Sequence, residues 1–252
     1  MIQLKHIAIP IITALFTCLQ ACEYISYVNE ESEIITKVKS TEPVNAITID
    51  ASCRVILTMN DEMDITITGQ THLLDNLETS YNNGTLKIDH KTHTLQKKKL
   101  IEIMVPANAL SRITCSKPCE IISQDLITVN NLSMVMNGSS EFTESDIDIT
   151  CNKLSVFCYG NTNIGQHVFK GNINELYMKL EGRIKVNAMD LTVNKATIIN
   201  KSAYDSYVNV KQQLTVNTYS TGNTFYIGNP EINHQRVHVP YLNSTGEVIS
   251  YQ

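Results

Sequence analysis

The chain has 252 residues, with 20 Lys and Arg against 25 Asp and Glu and a formal net charge of −5. That balance excludes binding driven by a basic surface, because phosphate contacts run on clustered Lys and Arg, and no nucleic-acid partner is expected. Hydrophobic residues at 42% with 18% charged exclude a disordered chain, while abundant Asn, Thr and Ser suit turns and exposed strand faces rather than long helices.

Residues 1–21 read as a lipoprotein signal peptide: Lys5 precedes an apolar run from Ile7 to Leu19, broken by Pro10, Thr13, Thr17 and Cys18. The run is too short to span a bilayer comfortably. It ends Leu19-Gln20-Ala21-Cys22, which resembles a bacterial lipobox with Gln20 in place of the usual small residue, and makes Cys22 the candidate lipidation site. The alternative is an uncleaved anchor or an ordinary signal peptide. Acyl chains on Cys22 would make the membrane a partner, since more than one chain is needed for stable anchoring. Residues 22–42, with Glu30, Glu31 and Glu33 clustered, read as a lipidated tether; a strand through Ile34 to Val38 is the competing reading.

Past the tether, Pro43 to Asp50, Cys53 to Met59 and Met63 to Gly69 alternate apolar with polar residues, the two-residue period of strands. Leu73 to Leu77 reads as one helical turn. Asn83-Gly84, between Tyr81 and Ile88, is the favoured two-residue hairpin turn. Lys97 to Lys99 read as a solvated loop before a strand from Leu100 to Val105, closed by Pro106. After Cys18 and Cys22, five cysteines remain, Cys53, Cys115, Cys119, Cys151 and Cys158. An odd number argues against a full disulfide framework. Core thiols are expected for Cys115 and Cys158, with a Cys115–Cys119 bridge left open.

The next stretch writes one phrase three times: Leu132 to Gly138, Leu154 to Gly160 and Leu176 to Gly182, each copy displaced by 22 residues. A repeat this short cannot bury its apolar face alone, so successive copies must stack. The expected fold is all-β, a parallel β-helix or β-solenoid with the short N-terminal strands and hairpin packed on it. Weaker copies run from Ile113 to Ile121, Ile198 to Ser206 and Val216 to Thr224, with second strands at Ile147–Ile149, Val168–Phe169 and Val208–Val210. Gly138, Gly160, Gly182, Gly222 and Gly228 mark the bends, since glycine tolerates backbone angles that other residues avoid. Residues 231–252 form a C-terminal cap or tail. End rungs left uncovered would pair between molecules and give a homo-oligomer.

These residues, in this order, resemble the bacterial GIN-domain family of auto-transporter adhesin heads. Tyr226-Ile227-Gly228-Asn229-Pro230 matches the family's ending, Gly222-Asn223-Thr224 stands where Gly-Asp-Val is usual, and Asn83-Gly84-Thr85-Leu86 lies at the expected place. The resemblance covers residues 43–230. It departs at the bends, where Gly138, Gly160 and Gly182 keep only the first glycine of the pattern, and Lys117 and Ser202 lose that one too. The resemblance implies a right-handed β-helical lipoprotein of Bacteroidota type, outer-membrane and periplasmic or surface-facing, and supplies no catalytic residues or cofactor.

Chemistry is otherwise sparse. Polysaccharide-acting β-helices need convergent carboxylates or a calcium site, and the candidates are Asp146 with Asp148, and Asp190 with Lys195. His90 with His93, and His234 with His238, lack a metal-ligand motif, so no metal is expected. The residue before each bend, Asn137, Tyr159, Glu181, Lys201 or Tyr219, would form an outward ladder on stacked rungs. Tyrosines in such a ladder suit glycan or protein contact, offering apolar area with a polar tip; ordinary cross-strand stacking is the competing account. The expected function is a non-enzymatic, membrane-anchored binding or adhesion module, with a polysaccharide lyase or hydrolase, or an envelope-assembly protein, as alternatives.

Overall fold

Alternating β-branched and polar residues are sorted here into strands that lie over one another. The computed structural model describes residues 32–60, 64–91, 101–238, 240 and 243–251. In chain order these contain β1 (Ile34–Ser40), β2 (Ala46–Asp50), β3 (Arg54–Thr58), β4 (Asp64–Gln70), α1 (Thr71–Asp75), β5 (Leu77–Asn82), β6 (Thr85–His90) and β7 (Ile101–Pro106). There follow β8 (Arg112–Cys115), β9 (Glu120–Ser123), β10 (Ile127–Thr128), β11 (Asn131–Met136), β12 (Thr143–Cys158), β13 (Ile164–Ser202), β14 (Ser206–Thr218), β15 (Thr224–Ile227), β16 (Glu231–Arg236) and β17 (Val248–Ser250). The expected signal peptide, Cys22, Met63, His93, Lys97 to Lys99 and Leu100 lie outside the described residues.

The strands make a β-solenoid of about six turns, as the repeats require. Its first face stacks β6, β2, β8, β11, the end of β12, β13, β14 and β16 in parallel. The second stacks β7, β3, β9, the start of β12, β13, β14, β15 and β17. Leu132 pairs with Leu154 and Leu154 with Leu176, all three inside, so the predicted single interior file exists. It resumes as Ala196 and Leu214, and Leu214 pairs with Ile232, which is exposed in the last rung. Between β13 and β14 the step is 20 residues at Val186↔Ser206, 17 at Thr192↔Asn209 and 18 from Lys195↔Gln213 onward, changing at register shifts between Ala188 and Thr192 and between Val193 and Lys195. At one corner Asn194 Nδ2 donates to Asn174 Oδ1 (3.2 Å) and Asn174 Nδ2 to Asn152 Oδ1 (3.3 Å), one link per rung.

The N-terminal end is layered out of chain order. The β2–β3 rung lies between β6–β7 on one side and β8–β9 on the other, because the chain leaves through β4, α1 and β5 before returning. Antiparallel strands finish that end: β5 pairs β6, β4 pairs β7 and β1 pairs β4. Asn83 (φ 48°) and Gly84 (φ 75°) both take the left-handed angles that a type I′ hairpin turn needs. The tether reading of residues 34–40 is corrected here. Seven consecutive pairs with β4, from Ile34↔Gln70 to Ser40↔Asp64, make that segment a strand, although Ile34 and Val38 stay exposed. The helical turn begins at Thr71, earlier than expected, and Pro106 is paired with Thr58 as the last residue of β7 rather than lying beyond it.

At Ser202, where a bend has lost its glycine, a side chain does the work. Ser202 Oγ donates to the Ile184 carbonyl and accepts from the Ile184 and Tyr204 N–H groups, each at 2.9–3.0 Å. Asn200, fully buried, accepts from Ser202 N–H and donates to the Gly222 carbonyl. Buried polar groups are tolerated when every such bond is made.

Candidate functional site

Register stacks the residues before the bends, and backbone N–H groups of Asn137, Tyr159 and Tyr219 bond back to Cys115, Met136 and Asn200 carbonyls. Glu181 is the centre of the column. Its Oε1 lies 3.2 Å from Lys179 Nζ and 3.8 Å from Lys201 Nζ, and its Oε2 accepts from Gly160 N–H at 3.1 Å. Partial burial opposes ionisation, but the Gly160 N–H and the two ammonium groups outweigh it and hold Glu181 below the usual carboxylate range. The same lysines cover rings: Lys179 Nζ is 4.7 Å from the Tyr159 centroid and Lys201 Nζ is 5.1 Å from that of Tyr219, within cation–π range. Phe157 extends the band, stacked on Tyr159 at 6.1 Å and tilted against Tyr177 at 5.6 Å.

Tyr159, Glu181, Lys201 and Tyr219 are thus brought into one aromatic and ionic band, all partly exposed. Asn137 stands apart from it, its Nδ2 donating to Ser116 Oγ at 3.2 Å. Sequence reasoning missed Phe157, Tyr177 and Lys179. The signal was available, since 157 and 179 are one repeat apart and occupy outward slots of the phrase. It also missed a second aromatic group on the other face, Tyr207 stacked on Phe225 at 5.0 Å with Tyr251 edge-on to both.

Gly160 (φ +101°) and Gly182 (φ +87°) hold left-handed angles at the bends, and Gly228 does likewise (φ +101°); Gly138 and Gly222 do not. The candidate carboxylates lie on the second face. Asp146 is 2.8 Å from Lys170 Nζ in an open depression of about 360 Å³ that also includes Asp125 and Asp148. The Asp146 hydrogen bond raises the Lys170 pKa, slight burial opposes it, and the charges of Asp146, Asp148 and Asp190 reinforce it. Asp190 and Lys195 are exposed and do not pair with each other. On the same face Arg54 bridges Glu102 (2.6 Å) and Glu120 (2.8 Å). His90 Nε2 accepts from Ser52 N–H and His234 Nε2 meets Thr218 Oγ1 at 3.1 Å. Among the described residues no three His, Cys, Asp or Glu are grouped to hold a metal ion.

Inside the solenoid, His167 is fully buried between Ser145 Oγ (2.9 Å from Nδ1) and Cys158 Sγ (3.8 Å from Nε2). Desolvation pushes its pKa down from 6.5 to about 4 and raises that of the Cys158 thiol, so both are neutral. Sealed from solvent, the pair serves packing.

The family described as "Putative auto-transporter adhesin, head GIN domain" matches residues 43–230. No curated protein matches the sequence significantly. Among solved structures, a "putative adhesin" from Bacteroides fragilis superposes with a TM-score of 0.73 at 18% identity, covering 88% of this chain and 98% of that one. A "putative adhesin" from Parabacteroides merdae gives 0.62 at 15% identity, covering 87% and 97%. A "putative lipid binding protein" from Parabacteroides distasonis gives 0.61 at 17%, covering 87% and 97%. At these identities the likeness is one of fold.

Proposed function

The chain belongs to the family described as "Putative auto-transporter adhesin, head GIN domain", and from that premise we propose that it is a non-enzymatic binding module held at the cell envelope by lipid on Cys22. The observation that carries this reading is the band of Phe157, Tyr159, Tyr177, Lys179, Glu181, Lys201 and Tyr219 along successive rungs. Rings with polar tips beside fixed charges offer stacking area and hydrogen bonds together, the combination that glycan or protein surfaces need. The carboxylates of the second face support catalysis less well, because Asp146 is neutralised by Lys170.

The test is a glycan array and an envelope-protein pull-down, with the wild-type protein and a Tyr159→Ala/Tyr219→Ala double variant. Binding that falls at least tenfold in the variant is expected. Equal binding by both proteins would move the site off this face, and activity on polyuronates lost in Asp146→Ala would replace the reading with an enzymatic one. Palmitate labelling of wild type but not Cys22→Ser tests the anchor.

A further inference from the structure

Register fixes which inward residues flank each bend. At the end of the first face Ile49, Cys115, Met136, Cys158 and Leu180 occupy one position in successive rungs. Cys53, Cys119 and Thr143, each just before a paired residue of the second face, occupy the opposite one. Cys115 and Cys119 are therefore the two inner ends of a single bend, separated only by Ser116, Lys117 and Pro118. In the next two rungs the corresponding bends span residues 137–142 and 159–164. Each of those holds a buried polar side chain tied to a carbonyl of the bend, Ser140 Oγ to Asn137 (2.6 Å) and Asn163 Nδ2 to Tyr159 (3.1 Å). The Ser116–Pro118 bend has neither the glycine nor an inward polar residue of its own; its Lys117 carbonyl accepts a long bond (3.5 Å) from Thr143 Oγ1 of the next rung. Its inner lining is two thiols, both at 0% exposure and neither bridged. A side-chain hydrogen bond with Cys119 is the largest influence raising the Cys115 thiol, ahead of burial.

We infer that Cys115 and Cys119 form an intrachain disulfide that closes this bend when the chain folds in an oxidising compartment. This rests on the envelope reading for the supply of oxidant. Two thiols give up two protons and two electrons and gain one S–S bond, and the acceptor is a second disulfide, which leaves as two thiols. One thiolate attacks the acceptor to give a mixed disulfide, and the other displaces the reduced acceptor. The Cys119 side chain and burial both raise the Cys115 thiol in the finished fold, and neither cysteine is exposed there, so exchange belongs to the folding step, before the rung closes over them. Cys53 competes for Cys119 from the adjacent rung, whereas Cys115 faces it within the same rung. A bridge here supplies covalently what the glycine or an inner polar residue supplies in the other bends.

The experiment refolds the full, reduced chain in a glutathione redox buffer, alkylates it under denaturing conditions and maps the peptides. The expected result is one peptide containing Cys115 and Cys119, unalkylated and lighter by two hydrogens, with Cys53, Cys151 and Cys158 alkylated. Dithiothreitol is expected to lower Tm by several degrees in wild type and Cys53→Ser but to leave Cys119→Ser unmoved. Alkylation of both Cys115 and Cys119, a Cys53–Cys119 bridge, or loss of the dithiothreitol effect in Cys53→Ser would each overturn the pairing. The same map on protein taken from cells separates the two readings: a bridge that forms in buffer but is missing in cells refutes the envelope location and leaves the pairing standing.

Discussion

Gly138, Gly160 and Gly182 are equivalent in the repeat but unequal in the structure. At Gly182 the backbone holds φ +87°, and an added Cβ would lie 2.7 Å from the Gly160 carbonyl oxygen and nearer still to that of Asn163. At Gly160, φ is +101° and the Cβ would meet Gly138 Cα at 2.8 Å. At Gly138 the nearest atoms are 3.7 Å away and φ is not positive. Holding a non-glycine residue at such angles costs roughly 1–3 kcal/mol. The collisions are with backbone, which cannot rotate aside, so Gly160→Ala and Gly182→Ala are each expected to lose about 2–4 kcal/mol. Gly138→Ala is expected to be neutral or to gain about 0.4–1 kcal/mol by restricting the unfolded chain. At roughly 2–4 °C per kcal/mol for a domain of this size, the first two variants should melt about 4–16 °C lower. Thermal melts followed by circular dichroism at one scan rate, with urea titrations beside them, give the comparison. Equal losses at Gly138 and Gly182, or a neutral Gly182→Ala, would refute the bend geometry described here.

Leu154, fully buried between Leu132 and Leu176, should cost about 2–5 kcal/mol when replaced by Ala; a urea titration giving a trivial loss would break the interior file. His167 has a folded pKa of about 4 against an ordinary 6.5. Its neutral burial therefore contributes stability in full above pH 6.5 that is lost as pH falls toward 4, about 3 kcal/mol in all. Between pH 7 and pH 4, His167→Gln should lose that much less than wild type, and equal losses would remove the histidine from the acid response. Arg54→Gln leaves Glu102 and Glu120 facing each other and should cost about 1–2 kcal/mol. That loss should shrink in high salt as the remaining charges are screened, and a salt-independent loss would assign it to packing instead.

The interior file was legible because Leu132, Leu154 and Leu176 recur at one spacing on strands whose other face is wet, so length and alternation together dictate register. The β5–β6 hairpin was legible for a different reason: Asn83 and Gly84 are residues that accept positive φ. The stacking order at the N-terminal end was not legible. Alternation announces strands in β2, β3, β6 and β7, but nothing local states that the later pair lies outside the earlier one. Nor were the later rungs plain. Asn200 and Thr218 take buried inward positions at the end of the first face, and a polar residue there reads as a loop until its partners are seen. The ladder itself follows from spacing, whereas the capture of Glu181 between two ammonium groups depends on how side chains of adjacent rungs lean.

The two faces place charge differently, and that decides which one suits the proposed binding. On the second face Arg54 is enclosed by two carboxylates and Lys170 is bonded to one, so these two cations are committed within the fold. On the first face Lys179 and Lys201 share Glu181 while lying over Tyr159 and Tyr219, and each ring keeps part of its surface in water. A parallel stack repeats such contacts about every 4.8 Å along its axis. A flat, repeating surface of this kind meets an extended polymer or a protein surface through many shallow contacts rather than enclosing a small molecule. Under the proposed function, affinity would build with the number of rungs engaged, and the proposed lipid anchor would multiply it by presenting many copies on one membrane without any new contact. On this reading, binding to immobilised multivalent ligand should far exceed binding to a short soluble fragment of the same ligand, and equal affinities for the two would point instead to a single enclosed site elsewhere on the molecule.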